Sequence, residues 1–516
     1  MKHITDPLLR LLEPYQYAAV IDGQWGDICK GKLVDLLASV YGHAIVRRTG
    51  SNNAGHTVQR GSTRIALSII PCGILYDADG KLNIIDEFVG FNPMQALREI
   101  AMLHSKGFSC NNLVISHNAH LLMPQHIVMD MVRESSPGVY KVGTTGRGVG
   151  PCFTDSPART RLRVNDMLVP DVLRAKLKEN LRDKVKVLSF ADPEIVRKVM
   201  RMDRLENGIF LRDNYEARTD GYGPFDFDAI MERYIEYGKL LKGFIRNTRL
   251  LLEQLIRDGK QIIFEGAQGT LLSVHYGTYP NVTSTDPSRH GLLYGLHLDP
   301  AKLLPLLLFK FPYMTRVGEG PFPTELGGED SARWCGTKTR DDELELYPNP
   351  DINSSDPREQ GAAIRRKGVE FGTVTGRPRR TGWFDLELAR YAARVHSGDK
   401  RCVAVTAKSD VLDECEVIKI GTEHIYNGPD YPLGDTIIRK GSRLQQAIVD
   451  DDFVFRHCTP VYREFEGWNT KTSGVTTFED TPRQFRELIG YIEREANLDV
   501  RICSVGPDSN QTIIRG

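Results

Sequence analysis

The chain has no net charge. Sixty-seven lysines and arginines stand against 67 aspartates and glutamates in 516 residues. That argues against a broad surface for nucleic acid or another polyanion, so any anion site must be a local cluster. Cysteine is sparse, nine residues with no C-x-x-C pair and no zinc spacing. This reads as a reduced cytoplasmic setting with thiols that are buried or inert. No apolar run is long enough to span a bilayer, and Met1-Lys2-His3-Ile4-Thr5-Asp6-Pro7 lacks an apolar signal core, so no membrane partner is expected. Internal repeats and low-complexity tracts are missing as well. What remains is an ordinary globular composition, 41% hydrophobic and 26% charged. The length exceeds the ~250–300 residues at which single cores usually stop growing. The chain is therefore one elaborated domain or a core with insertions.

The rest is organised around Ala18-Ala19-Val20-Ile21-Asp22-Gly23-Gln24-Trp25-Gly26-Asp27-Ile28-Cys29-Lys30-Gly31-Lys32. An apolar run reads as a buried strand. Behind the turn, Leu33, Leu36, Leu37 and Val40 are spaced as one helix face. Strand, Gly-Lys loop and helix make a phosphate cradle. Gly26 to Lys32 fits the P-loop spacing G-x-x-x-x-G-K, but Leu33 stands where that motif needs Ser or Thr for magnesium. Asp27 is the obvious replacement oxygen. The competing reading is a tight turn with solvated lysines; the flanking strand and helix favour phosphate. Downstream lies Gly50-Ser51-Asn52-Asn53-Ala54-Gly55-His56-Thr57. By pattern alone, His56 could equally be a satisfied loop histidine.

Gln24-Trp25-Gly26-Asp27 with Lys30-Gly31-Lys32, followed by Asn53-Ala54-Gly55-His56-Thr57, resembles adenylosuccinate synthetase. That family joins aspartate to inosine monophosphate (IMP) and consumes GTP. The resemblance recurs in Val142-Gly143-Thr144-Thr145-Gly146-Arg147-Gly148, in Glu265-Gly266-Ala267-Gln268-Gly269 and in Thr315-Arg316-Val317-Gly318-Glu319-Gly320-Pro321-Phe322. It continues in Thr375-Gly376-Arg377-Pro378-Arg379-Arg380, in Ala407-Lys408-Ser409-Asp410 and in Ser504-Val505-Gly506-Pro507-Asp508. It implies a large single α/β domain over 1–516, with a mostly parallel central sheet, a P-loop-like phosphate site, helices on both faces and insertions. Residues 1–16 read as an N-terminal extension with a short helix. Residues 327–368 are polar and proline-bearing, and read as a solvated surface insertion.

The resemblance also carries roles. Catalysis falls to Asp27, His56, Lys30 and Gln268. IMP falls to Asn53, Thr145, Arg159, Gln268, Leu272, Thr283 and Arg377, with Arg159 reaching across a homodimer interface. GTP phosphates fall to Gly26, Lys30, Gly31, Lys32, Thr57 and Arg379, and the guanine to Lys408, Asp410, Ser504 and Gly506. Aspartate falls to Val317, Thr375, Arg377 and Arg379, where guanidinium groups can clamp carboxylates bidentately. Mg2+ falls to Asp27 and the Gly55 carbonyl. The chain departs from the family at Ile28 (glutamate there), at Cys29 (glycine there), at His275-Tyr276 and over residues 286–290. These departures keep open an acceptor other than IMP, namely GMP or dGMP with ATP or GTP as donor, and more remotely a non-catalytic nucleotide-binding scaffold. His117, His120 and His126 have no metal spacing and are expected to be structural.

Overall fold

The computed structural model describes residues 2–60, 63–136, 142–212, 220–372, 376–444 and 446–515. The first buried strand, β1 (Tyr17–Asp22), lies mid-way in a ten-stranded sheet. Its neighbours are Leu303–Lys310 on one side and Ile262–Glu265 on the other, both parallel to it. Outward from Ile262–Glu265 come β2 (Ala44–Arg47), Leu82–Ile85, Leu113–Ser116 and Ile245–Arg246, again parallel. Outward from Leu303–Lys310 come Cys402–Ala407 and Leu498–Ser504, parallel, and then Thr512–Ile514, antiparallel. The expected α/β class with a mostly parallel sheet is what the chain adopts.

Both faces of this sheet are covered, which is why its strands are apolar throughout and do not alternate. Ala18 and Val20 point into one core with Val34 and Leu37 of helix α2 (Lys30–Val40). Tyr17, Ala19 and Ile21 point into the other, with Leu386, Ala389 and Ala393 of the helix Leu386–Ser397. A second sheet of four strands stands beside the second core: Tyr313–Arg316, Arg380–Asp385, Val417–Tyr426 and Cys458–Glu466.

Two peripheral segments are less peripheral than their composition implies. Helix α1 (Lys2–Leu12) packs Ile4, Leu8 and Leu12 into the first core, as a helix laid on the body should. The stretch 327–368 forms three helices, not a solvated excursion. Ile352, Ala363 and Ile364 join the second core, and the buried Arg365 side chain pairs with the buried Glu343 at 2.7 Å. Small and paired-charged residues make its buried face, so a hydrophobicity scan misses it.

Candidate active site

The loops after Asp22, Arg47, Glu265, Ala407 and Ser504 lie at the carboxyl ends of parallel strands, where open α/β sheets bind ligands. At the end of β1, Asp22 accepts the Gln24 amide N–H at 2.7 Å and the Lys30 ammonium at 2.9 Å. This folds residues 23–29 over the strand end. Gly26, Asp27 and Cys29 take φ of 93°, 58° and 33°. Such left-handed geometry costs a non-glycine residue about 1–3 kcal/mol and recurs at ligand clamps. Cys29 caps α2 without a side-chain hydrogen bond, so the first-turn amides stay available to an anion. A Cβ on Gly31 would lie 2.8 Å from the Thr57 carbonyl; only glycine lets α2 touch the following strand β3 (His56–Arg60). Ile28, where the family has a carboxylate, is buried in the first core.

The two loop lysines differ. Lys30 donates to Asp22 and, at 2.7 Å, to the Gln268 carbonyl, beneath the loop. Lys32, ~200° further round the helix, donates instead to Ser504 Oγ at 2.7 Å and to the Gly506 carbonyl at 2.8 Å. Burial lowers its pKa to about 8. It couples the phosphate loop to the 504–511 segment.

At the start of β3, His56 Nδ1 meets the Glu265 carboxylate, whose other oxygen accepts the Cys72 amide at 2.8 Å. Burial pushes the His56 pKa down. Burial would raise Glu265, but His56 and Arg47 outweigh it and hold the carboxyl below its usual range. The buried Nε2 of His56 has no partner among the described residues. Gln268, at φ 52°, donates to Asn53 Oδ1 at 3.1 Å and keeps a buried, unpartnered Oε1. His56, Cys72 and Glu265 form the one cluster of metal-ligating side chains among the described residues; the hydrogen bonds just given account for it.

His56, Asn53 and Gln268 line a cleft of about 1510 Å³. Gly26, Asp27, Lys30, Asn53 and Gly55 border it on one side; Thr145, Leu272, Thr283 and Val317 border it elsewhere. The departing residues His275, Asp286 and His290 border it too. Asp286 accepts from Ser273 Oγ at 2.8 Å and Ser288 Oγ at 2.9 Å, so it shapes the loop that carries them. Of the noted histidines, His126 is structural, set between the Met123 amide at 3.0 Å and Asp155 at 2.8 Å. Arg159 is exposed at φ 63°, and none of the described residues hydrogen-bonds its guanidinium. Arg377 is exposed, its carbonyl accepting the Gly372 amide at 2.8 Å. Thr375 lies outside the described residues.

Arg379 joins this cleft to the Lys408–Asp410 segment through Glu370. It contacts Asp27 Oδ2 at 3.1 Å and Glu370 Oε2 at 2.6 Å. Burial would raise the Asp27 carboxyl, but Arg379, Lys310 and Lys30 hold it below its usual value. Lys408 is held at φ 60° and donates to Glu370 Oε1 at 2.7 Å. Asp410, two residues on, is half-buried, and burial raises its pKa. Asp22, Glu265, Lys310 and Glu370 were not assigned roles from sequence. Lys310 left one signal, a lysine closing the apolar strand Leu303–Lys310.

The glycine- and lysine-bearing loop at the end of β1 borders the cleft, and Arg379 links its Asp27 to Glu370 and Lys408, the arrangement of an α/β ligand site at strand ends. The chain belongs to the adenylosuccinate synthetase family, a family of C–N-bond-forming ligases: that family's model matches residues 19–513. The adenylosuccinate synthetase of Heliobacterium modesticaldum is 37% identical over 497 residues, 96% of this chain and 98% of the relative. That of Desulfitobacterium hafniense is 35% identical over the same shares. The fully ligated adenylosuccinate synthetase of Plasmodium falciparum superimposes with a TM-score of 0.74 at 25% identity, covering 97% of this chain and all of that one (100%). A cyanophage S-2L succinoaminodeoxyadenylate synthetase, solved with dGMP and dATP, shares the fold at TM-score 0.50 and 16% identity, over 97% and 95% of the two chains.

Proposed function

We infer that the chain ligates L-aspartate to C6 of IMP at the expense of GTP, giving adenylosuccinate, GDP and phosphate. The observation that carries this reading is the pairing, across one cleft, of the ionised Asp27 with two unpartnered polar atoms, His56 Nε2 and Gln268 Oε1. Family membership over residues 19–513 supports IMP as acceptor, and so does the retained Asp27. The phage relative that takes dGMP shares only the fold.

Oxide is a poor leaving group from a purine, so the oxygen must first be made a better one. Asp27 accepts the N1 proton of IMP, which makes O6 nucleophilic. O6 bonds to the γ-phosphorus while the bond to the β-phosphate oxygen breaks. Positioning and charge neutralisation do most of that work. Lys30, the amides of residues 26–31 and Arg379 supply the positive potential. His56, backed by Glu265, can carry a proton on Nε2 toward the phosphoryl oxygens. Gln268 is placed to hold the base edge. The aspartate amine then bonds to C6, and phosphate leaves with O6. Val317, Thr375 and Arg377 are assigned to the aspartate carboxylates, and Asn53, Thr145, Leu272 and Thr283 to the IMP. Lys408, Asp410, Ser504 and Gly506 are assigned to guanine. Lys32 serves that side by holding the 504–511 segment.

The donor set suits Mg2+. Asp27 offers a carboxylate that is 34% exposed, and the exposed Gly55 a backbone carbonyl; both are hard oxygen ligands. When bound there, the ion adds positive charge beside the transferring phosphoryl group.

The exposed, unpartnered Arg159 supports a homodimer in which it completes the partner's IMP site. Nine unpaired cysteines, eight of them buried, support a reducing cytoplasmic setting. Among the described residues, no helix is long and apolar enough to cross a membrane.

The test is a mass-spectrometric turnover assay with Mg2+, aspartate and GTP. IMP is the acceptor in one tube and GMP or dGMP in others, with ATP replacing GTP in parallel. Adduct from IMP with GTP is the expected result. Adduct from a guanine acceptor alone, or nucleotide binding with no adduct at all, would overturn it.

A further inference from the structure

Behind the cleft, Glu370 is fully buried and accepts four donors. Lys408 Nζ and the Tyr313 hydroxyl reach Oε1 at 2.7 and 2.8 Å. Lys310 Nζ and Arg379 reach Oε2 at 2.9 and 2.6 Å. A carboxylate has about four acceptor sites, and here all are taken. The Arg379 amide also donates to the Glu370 carbonyl at 2.9 Å, and Phe371 bridges Pro378. Glu370 and Arg379 thus close the neck of the loop that carries Arg377.

In direct contact, three cations, Lys310, Arg379 and Lys408, face two carboxylates, Glu370 and the Asp27 that Arg379 also touches, and Asp410 acts on Lys408 as a third. The neighbouring Lys30–Asp22 pair is neutral by itself. A buried ion cluster is weak as a stabilising device, so what this one fixes is the placement of its cations. Burial would raise the Glu370 carboxyl, but its three cations hold it well below its usual range. Lys310 is lowered to about 8 by burial and is still mostly charged at neutral pH.

We propose that Glu370 is a positioning residue that sets two remote parts of the donor site at once. It holds Lys408 against the guanine pocket, and it holds Arg379 between the phosphoryl donor and the aspartate loop, with Lys310 as the cation that keeps it ionised. This rests on the assignment of that side to GTP. Of the groups assigned to IMP, Asn53, Gln268 and Thr283 make no contact with Glu370, while Asp27 and Arg377 are reached only through Arg379 and the loop it closes, so acceptor binding should depend on Glu370 less than donor binding does.

The experiment uses the full chain with Glu370→Gln, and Tyr313→Phe as the milder variant. Calorimetry measures GDP and IMP binding to each, and steady-state kinetics vary GTP, aspartate and IMP separately. Glu370→Gln is expected to weaken GDP binding about tenfold or more, the scale of a lost charged hydrogen bond. KM for GTP and for aspartate should rise together, while IMP affinity stays within about twofold. Glu370→Asp should recover part of the loss. Tyr313→Phe should shift GDP binding in the same direction by about threefold, and it decides the matter if Glu370→Gln does not fold. Equal weakening of GDP and IMP, or a lower melting temperature with unchanged affinities, would overturn the proposal. Binding is read without turnover. A wild-type chain that binds GDP but makes no adduct would sink the functional reading and leave this one standing.

Discussion

The two halves of the nucleotide site are built differently. On the acceptor side, His56 Nε2 and Gln268 Oε1 are buried without partners, beside an open cleft. On the donor side, Lys408, Arg379, Lys310 and Lys32 are already tied to Glu370, Ser504 and the Gly506 carbonyl. An unpartnered buried atom costs stability until a ligand satisfies it, so the acceptor side gains binding specificity from filling that gap. A pre-tied cation costs little to orient when the ligand arrives. On the proposed assignment the donor side is largely pre-tied, with Arg379 Nε and Ser409 Oγ still without partners, and substrate choice falls mainly to the acceptor side.

The sharpest way to break this contrast is to disable the acceptor chemistry alone. Asp27→Asn should cut turnover by ~10²–10⁴-fold, the range for a lost general base. GDP affinity should change far less; single-turnover kinetics and calorimetry check both. Next in size, Asp410→Asn should lower kcat/KM for GTP by ~10–100-fold, the worth of charge-assisted hydrogen bonds. It should leave KM for IMP unchanged, as steady-state kinetics would show.

A third test joins the halves. Arg379 is the foremost of the charges that depress the Asp27 carboxyl. In Arg379→Leu that carboxyl moves up, so the acid limb of the kcat profile shifts to higher pH. A limb that stays put would mean Asp27 does not feel Arg379.

The smallest effect lies at a buried structural pair on the rim of the cleft. Burial would raise Asp155, but His126 and Lys184 outweigh it and lower its pKa to about 2. A depressed carboxyl adds stability above its unfolded value of ~3.9 that is lost on acidification. That contribution, on the order of 2 kcal/mol, should fade between pH ~4 and ~2. In Asp155→Asn, acid denaturation monitored by circular dichroism should be flatter over that window.

The contrast also explains what was legible in the sequence. The acceptor side is carried by contiguous motifs, several of them after apolar strands, so the family resemblance could single out Asp27, Gly55, His56 and Gln268 there, and the structure brings all four to one cleft. The donor side is made by residues from distant elements whose meeting no local pattern announces. Glu370 gathers side chains from positions 310, 313, 379 and 408. Lys32 sits inside a P-loop spacing yet spans 472 positions to Ser504. The 327–368 stretch looked solvated because, Ile352 and Ile364 aside, its buried face is made mostly of glycine, alanine and a neutralised Arg365–Glu343 pair. Glu265 was visible within its motif, but its contact with His56 is tertiary.

The account turns on the fate of one atom, the purine O6. IMP labelled with oxygen-18 at that position, turned over with GTP and aspartate, should deliver the label to inorganic phosphate, read by mass spectrometry. Label released as water would mean that the oxygen is never phosphorylated and that Asp27 does not serve the role given to it here.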